Sequence, residues 1–431
     1  MIIPAQRELR SRSAAARAAA RVGVILLVLF AILFVPVKQH LRAASVLWRL
    51  ESSQPTKNWM AKLGSDTVRV ERGSIPAPVP IQARFYHPSG GNGGPTMIVL
   101  HGVHHLGIEE PRLVAFAEAM SSRGFQVITP ELQDLADYRV TPATITTIGE
   151  CARFVRQSTG KPAVIIGLSF AGGLALMAAA QPEWRDEVGM VVAVGAHDSL
   201  QRVLEFFATN QIETPSGKTF HLEAHPYGPV VGVYDYPQEF FSKADLPAAR
   251  VALRYLLWED EPRAKAEAVH LSPEGRRLMN LLIDRRTDVL SPIILRGIRK
   301  YKDEFAEVSP HGSLAGLRAP VYLLHGAGDN IIPSSESEWL ARDLPPGCLR
   351  QILISPALSH LDMNGASFWE KLKLVHFMSD LLRDAEAISA APPRRAGTED
   401  PKKVSRDKLP AARKIAVLIN QIVDPDHSRA G

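Results

Sequence analysis

The chain has 431 residues, enough for one large domain with an insertion or for two ordinary domains, and 46% hydrophobic with 22% charged residues excludes global disorder. A net charge of +5 is small for this length, and much of the excess lies in the terminal stretches RELRSRSAAARAAAR and PPRRAGTEDPKKVSRDK, so no nucleic acid is expected as a partner. The two cysteines, Cys151 and Cys348, exclude a zinc pattern or a disulfide framework; two buried thiols are expected, with one bridge in an oxidising compartment left open.

Residues 22–37, VGVILLVLFAILFVPV, carry no charge over 16 positions and follow Arg7, Arg10, Arg12, Arg17 and Arg21. A helix of that length reaches ~24 Å, slightly less than a bilayer core, so Arg21 and Lys38 would have to snorkel. A cleaved signal peptide is the alternative, although LRAAS beside Arg42 is a poor cleavage site. The expectation is a basic cytoplasmic segment over 1–21 and a transmembrane signal anchor over 22–37. The basic flank then places everything after Lys38 on the outer, periplasmic or extracytoplasmic, face of a single-pass membrane protein.

Beyond a connecting segment over 38–65, DTVRVERG and IQARFYHP have strand composition and flank the turn-rich SIPAPVP, so they predict an antiparallel pair. PTMIVLHG is a short continuous apolar run of the kind buried on both faces. From there helices and strands alternate: EPRLVAFAEAMSSRG, FQVITPEL, TPATITTIGECARFVRQSTG, AVIIG with the helix GGLALMAAA, then EVGMVVAVGAH. Such alternation implies right-handed crossovers and a mostly parallel sheet covered on both faces. It stops near Asp198; residues 198–317 are rich in helical spacing, and PVYLLHGAGD and LRQILIS then resume the strands before the amphipathic SFWEKLKLVHFMSDLLRDAEAIS. One α/β domain over 66–389 with a helical insertion is expected. The tail over 390–431 is basic and flexible, with a short amphipathic helix in AARKIAVLINQIV.

Gly167-Leu168-Ser169-Phe170-Ala171-Gly172 joins a buried strand to a helix. Such a turn strains the backbone and projects its central side chain away from the sheet, as a nucleophile requires. Ala171 stands where the motif usually has Gly. Taken alone, the motif reads equally as a small polar residue at a tight turn. Earlier in the chain, the strand MIVL ends in His101-Gly102-Val103-His104-His105, a loop whose backbone N–H groups can meet an oxyanion.

At these residues the sequence resembles the α/β-hydrolase superfamily, over roughly Asp66 to Ser389 apart from the insertion. The resemblance implies a mostly parallel central sheet with helices on both faces and a helical cap insertion over 198–317. It also implies an oxyanion hole formed by the N–H groups of Val103 and Phe170, with the Phe170 side chain walling the site. The superfamily's chain order of serine, acid, histidine falls on Ser169, on Asp329 in HGAGDNIIP, and on His360 in PALSHLDM. Asp198 is the rival acid. His104 and His105 are expected to line the pocket; a metal site drawn from His101, His104, His105, Glu109 and Glu110 lacks a fixed ligand face. The implied activity is a serine hydrolase of the esterase or lipase kind, acting on a small-molecule or lipid-like ester with no metal or organic cofactor. Acyl transfer on the same triad, or a membrane-tethered binding protein without turnover, are the alternatives.

Overall fold

The computed structural model describes residues 37–50, 66–90, 94–356, 358 and 367–390. In chain order the strands are β1 (Val68–Ile75), β2 (Ile81–Pro88), β3 (Thr96–Leu100), β4 (Gln126–Pro130), β5 (Ala163–Leu168), β6 (Val188–Val194), β7 (Gln211–Glu213), β8 (Thr219–His221), β9 (Val321–Gly326) and β10 (Leu349–Ser355). Eight of them form one sheet in the order β1-β2-β4-β3-β5-β6-β9-β10. β1 and β2 pair antiparallel, from Val68 opposite Pro88 to Ile75 opposite Ile81, and β2 also runs antiparallel to β4. Every other neighbouring pair is parallel. The sheet is thus a mostly parallel one with helices on both faces.

The continuous apolar strands serve two cores through the two-residue alternation of a strand. On one side, Ile98, Leu100, Ile165, Val191, Ala193 and Leu323 pack with helix α3 (Pro142–Thr159), helix α4 (Phe170–Ala180) and the helices that follow β6. On the other, Met97, Val99, Val164, Ile166, Met190 and Val192 pack with α2 (Pro111–Ser121) and with the closing helix (Phe368–Ala390). Every residue of α4 is buried, as its all-apolar sequence demands.

The first described helix, α1, occupies 37–50 and lies inside the stretch expected as a mere connection. Ala43 and Val46 are buried in the second core with Leu47 and Leu50 packed beside them, an i, i+3, i+4, i+7 stripe. The expected membrane location is corrected here. Among the described residues no helix is long and apolar enough to cross a membrane. Val37 belongs to α1, which carries Lys38, Arg42 and Arg49 and docks on the domain; Arg42 reaches Glu386 at 2.6 Å and the Arg123 carbonyl at 2.8 Å. Residues 1–36, including the rest of the apolar run, lie outside the described residues, as does the tail from 391 with its amphipathic stretch. Cys151 and Cys348 are both free and buried.

Between β6 and β9 come α5 (Leu200–Thr209), the β7-β8 hairpin, α6 (Gly228–Asp235), α7 (Leu246–Leu257), α8 (Glu261–Ala268), α9 (Pro273–Ile283), α10 (Thr287–Lys300) and α11 (Lys302–Ala306). After β9, α12 (Ser335–Asp343) leads to β10, and the closing helix is α13. The helical insertion lies over the carboxyl ends of the strands. The Tyr138 hydroxyl donates to the Leu257 carbonyl at 2.9 Å, His225 N–H donates to the Asn330 carbonyl at 2.8 Å, and the rings of His105 and Trp258 lie 5.1 Å apart.

The two points where the chain leaves the sheet and returns to it are fastened together. His311 N–H donates to the Asp198 carbonyl at 3.0 Å, and Leu200 N–H donates to Ser309 Oγ at 2.9 Å. Glu336 on α12 accepts the N–H groups of Asp198 and Ser199, each at 2.8 Å. Arg202 bridges both acids, donating to Asp198 Oδ2 and Glu336 Oε1 at 2.7 Å each while lying 4.5 Å over the Trp339 ring. Asp198 is 0% exposed, and burial pushes its carboxyl up to about 6 despite Arg202, with the Glu336 charge adding to the rise. Its folded value lies above its ordinary one, so its contribution to stability falls as pH rises from the ordinary carboxylate range to about 6. Arg202→Met leaves two buried carboxylates without a counter-charge and is expected to destabilise the fold by about 3–5 kcal/mol at neutral pH. Urea denaturation reads the loss, which should shrink as pH is lowered through 6 and Asp198 takes a proton.

Candidate active site

The parallel register brings the carboxyl ends of β3, β5, β6 and β9 to one edge: Leu100 lies opposite Gly167, Gly167 opposite Ala193, and Ala193 opposite Leu323. Each described candidate residue leaves the sheet at that edge. Ser169 directly follows β5 and has φ 55° and ψ −134°, a left-handed conformation rarely adopted by a residue with a side chain. Its N–H donates to the Val194 carbonyl at 2.7 Å, and its carbonyl accepts from Gly172 N–H at 2.9 Å. The turn is therefore held from both sides, against a strain of about 1–3 kcal/mol.

The sharpness of the turn depends on two glycines. A Cβ on Gly167 would stand 2.6 Å from Gly172 Cα, and a Cβ on Gly172 would stand 2.8 Å from Ala196 Cβ and 2.9 Å from the Gly167 carbonyl oxygen. The close backbone crossing thus falls at Gly172. Ala171, one position earlier, instead sends its methyl into the main core. That is the physical reason the motif tolerates alanine there.

Gly102 lies against the serine: a Cβ on it would be 3.0 Å from Ser169 Cβ and 3.6 Å from Ser169 Oγ. The loop is pinned by His101, which is 1% exposed. Leu132 N–H donates to His101 Nε2 at 2.9 Å, so the ring proton sits on Nδ1 and is donated to the Gly102 carbonyl at 2.7 Å. Burial lowers the His101 pKa to about 4, which keeps the ring neutral. His101 is thus a structural strut. Among the described residues no acceptor takes the N–H of Val103 or of Phe170. The Phe170 side chain, expected to wall the site, is 2% exposed and packs in the core with its ring 5.1 Å from that of His197.

Asp329 lies three residues after β9 and is 4% exposed. Its Oδ1 accepts the N–H groups of Ile331 and Ile332 at 2.9 and 3.0 Å, and Oδ2 lies 3.4 Å from the position of a Cβ on Gly195, just past the end of β6. His325 donates from Nε2 to the Ile332 carbonyl at 2.8 Å and accepts at Nδ1 from Ser337 Oγ at 2.7 Å, fixing the loop from below. His360 lies outside the described residues. Leu358, two positions before it, has its carbonyl oxygen against Gly326, three positions before Asp329.

Asp198 follows β6, the strand beside Ser169's, and its carboxylate is bound by Arg202 in the fastening at the root of the insertion. His104 is half-buried and stacked on His105 with ring centroids 4.7 Å apart; burial and the neighbouring His105 charge lower its pKa. Glu110 caps α2 by accepting Leu113 N–H at 2.8 Å, while Glu109 pairs with Arg84 at 2.9 Å and Arg72 at 3.0 Å. The two glutamates are therefore not gathered with His101, His104 and His105. Among the described residues, Asp198, His311 and Asp343 do place ligand atoms within 4.8 Å of one another. Arg202 already supplies the cation there, and His311 Nδ1 is only 2.6 Å from Asp343 Oδ2. Sequence reasoning missed His197, Arg202 and Glu336. Of these only Arg202, four residues after Asp198 on a helix start, had a local signal. Tyr227, on the insertion, has its pKa raised by burial and by the Asp329 charge, which marks it as a neighbour of that carboxylate.

The sequence profile of the family described as alpha/beta hydrolase fold matches residues 95–361. No curated protein matches the chain. Among solved structures, similarity extends to the Pyrococcus horikoshii acylaminoacyl peptidase with TM-score 0.44 and 12% identity, covering 75% of this chain and 43% of that one. Brefeldin A esterase, described as a bacterial homologue of human hormone-sensitive lipase, gives 0.41 and 15%, covering 76% of this chain and 78% of that one. A Pyrobaculum calidifontis esterase gives 0.39 and 16%, covering 83% and 93%. The chain thus spans less than half the length of the acylaminoacyl peptidase it matches. With the profile matching well over half of its residues, the chain belongs to the α/β-hydrolase fold family.

Proposed function

We propose that the protein is a serine hydrolase that cleaves a carboxylic ester or related acyl bond through an acyl-enzyme on Ser169, with Asp329 and His360 completing the triad. The observation that carries this reading is the Ser169 backbone at φ 55°, flanked by the Val103 and Phe170 N–H groups that no described acceptor takes. Gly102 approaches the serine so closely that a side chain there would crowd Ser169 Cβ and Oγ. The ends of β5 and β9 are two strand spacings apart, roughly 9–10 Å, a gap that one imidazole can bridge between the hydroxyl and the carboxylate.

In this mechanism His360 takes the Ser169 proton as Oγ attacks the acyl carbon, and the oxyanion is bound by the two N–H groups. Asp329 holds the imidazole tautomer and stabilises its protonated form; the leaving alcohol then carries the proton away. A water molecule, deprotonated by His360, attacks the acyl-serine, and the released acid and the free Ser169 hydroxyl restore the starting state. Asp329 is preferred to Asp198 as the acid because Asp198 is committed to Arg202 at the root of the insertion. The insertion over the edge is the natural determinant of acyl-chain selectivity, and a panel of chromogenic esters of graded acyl length would map it.

Ser169→Ala is expected to abolish labelling by a fluorophosphonate probe and to lower ester hydrolysis by about 10⁴–10⁶-fold. A well-folded wild type that resists the probe would sink the proposal. Asp329→Asn is expected to lower kcat by roughly 10³–10⁴-fold, whereas Asp198→Asn should stay within about tenfold of wild type. Steady-state kinetics on the two variants, with circular dichroism to confirm folding, decides between the acids; the reverse order of effects would transfer the role to Asp198.

A further inference from the structure

We propose that His197 is a positioning residue for the reaction, holding the first turn of α4, and with it the oxyanion-binding N–H of Phe170, against the root of the insertion. This rests on the serine-hydrolase reading and adds to it a residue outside the triad. His197 is 0% exposed and lies three residues after β6. Its Nε2 is 2.9 Å from the Val308 carbonyl oxygen, and only an N–H can donate there, so the proton sits on Nε2 and Nδ1 carries a bare lone pair. Among the described residues nothing bonds to that Nδ1. Burial lowers the ring's basicity, so it stays neutral.

The ring is wedged into the nucleophile helix. Its centroid is 5.1 Å from that of Phe170 at 52°, and a Cβ on Gly173 would stand 2.5 Å from its Cε1 and 2.6 Å from its Nδ1. Phe170 and Gly173 are one turn apart on the same helix face, so one ring fixes both. On its other side the imidazole is tied to Val308, which is buried where the insertion returns to the sheet. A purely apolar ring would fill the space without that tie. Because the lone pair at Nδ1 is left unmatched, the site has a use for the donor at Nε2 rather than for a generic polar side chain. Donor placement matters at this level: a displacement of about 1 Å in a catalytic group costs roughly 100-fold in rate.

The test compares His197→Ala, His197→Phe and His197→Gln. Phe keeps the ring against Phe170 and deletes the donor; Gln restores an Nε2–H at similar reach. With a chromogenic ester, Ala and Phe are expected to lower kcat by roughly 10–100-fold with KM within about threefold, and to slow fluorophosphonate labelling by the same factor. Gln should recover kcat to within about fivefold of wild type. Unchanged kcat in the Phe variant, a loss confined to KM, or a Gln variant as slow as the Phe variant would each overturn the role of His197. If Ala fails to fold, Phe and Gln still decide the matter. A wild type that the probe does not label would instead remove the serine-hydrolase reading and this inference with it.

Discussion

The backbone of Ser169 is held in a left-handed conformation that its side chain disfavours, and the surrounding structure is arranged to keep it there. Its own N–H is taken by the Val194 carbonyl from the neighbouring strand, and its carbonyl by Gly172. Gly167 and Gly172 let strand and helix cross at a separation that no side chain would allow. Strain of this kind persists only where neighbouring contacts over-determine it. Those contacts come from β6, from the close approach of Gly102 at the end of β3, and from the all-buried α4, so the sheet register and the turn depend on each other.

The same dependence explains the division of labour among the histidines. His101 and His325 are buried and bonded at both ring nitrogens, and they brace the loops after β3 and β9 from beneath. His104 and His105 are the more accessible pair and meet the insertion at Trp258. Position in the chain gives little hint of this, because His101 and His104 are separated by only two residues. What separates their roles is that His101 faces the Leu132 N–H at the end of β4, whereas His104 has left the sheet.

The fold was legible in the sequence because buried parallel strands read as uninterrupted apolar runs, and because Gly and Pro punctuate them at the right intervals. The candidate serine and acid were legible through chain order, each placed directly after such a run. The departure at Ala171 was visible, but its harmlessness was not, since that depends on which of two adjacent residues faces the strand. The fastening at Asp198 was not legible either: Glu336 lies more than a hundred positions away, and a buried carboxylate has no periodic signature. Helix α1 did leave a trace, the stripe Ala43, Val46, Leu47 and Leu50, but the longer apolar run before it dominated the hydropathy pattern and suggested an anchor that the described residues do not support.

The fastening of Asp198 to His311 has a consequence for how this chain could have been assembled. An insertion whose two ends meet at one point leaves the distance between β6 and β9 independent of how many residues lie between them. Loop-closure entropy grows only with the logarithm of length, so enlarging such an excursion adds little to the cost of closing it. The helices over the carboxyl edge can therefore vary in number and shape across descendants of one sheet, while the register that shapes the turn at Ser169 stays as it is.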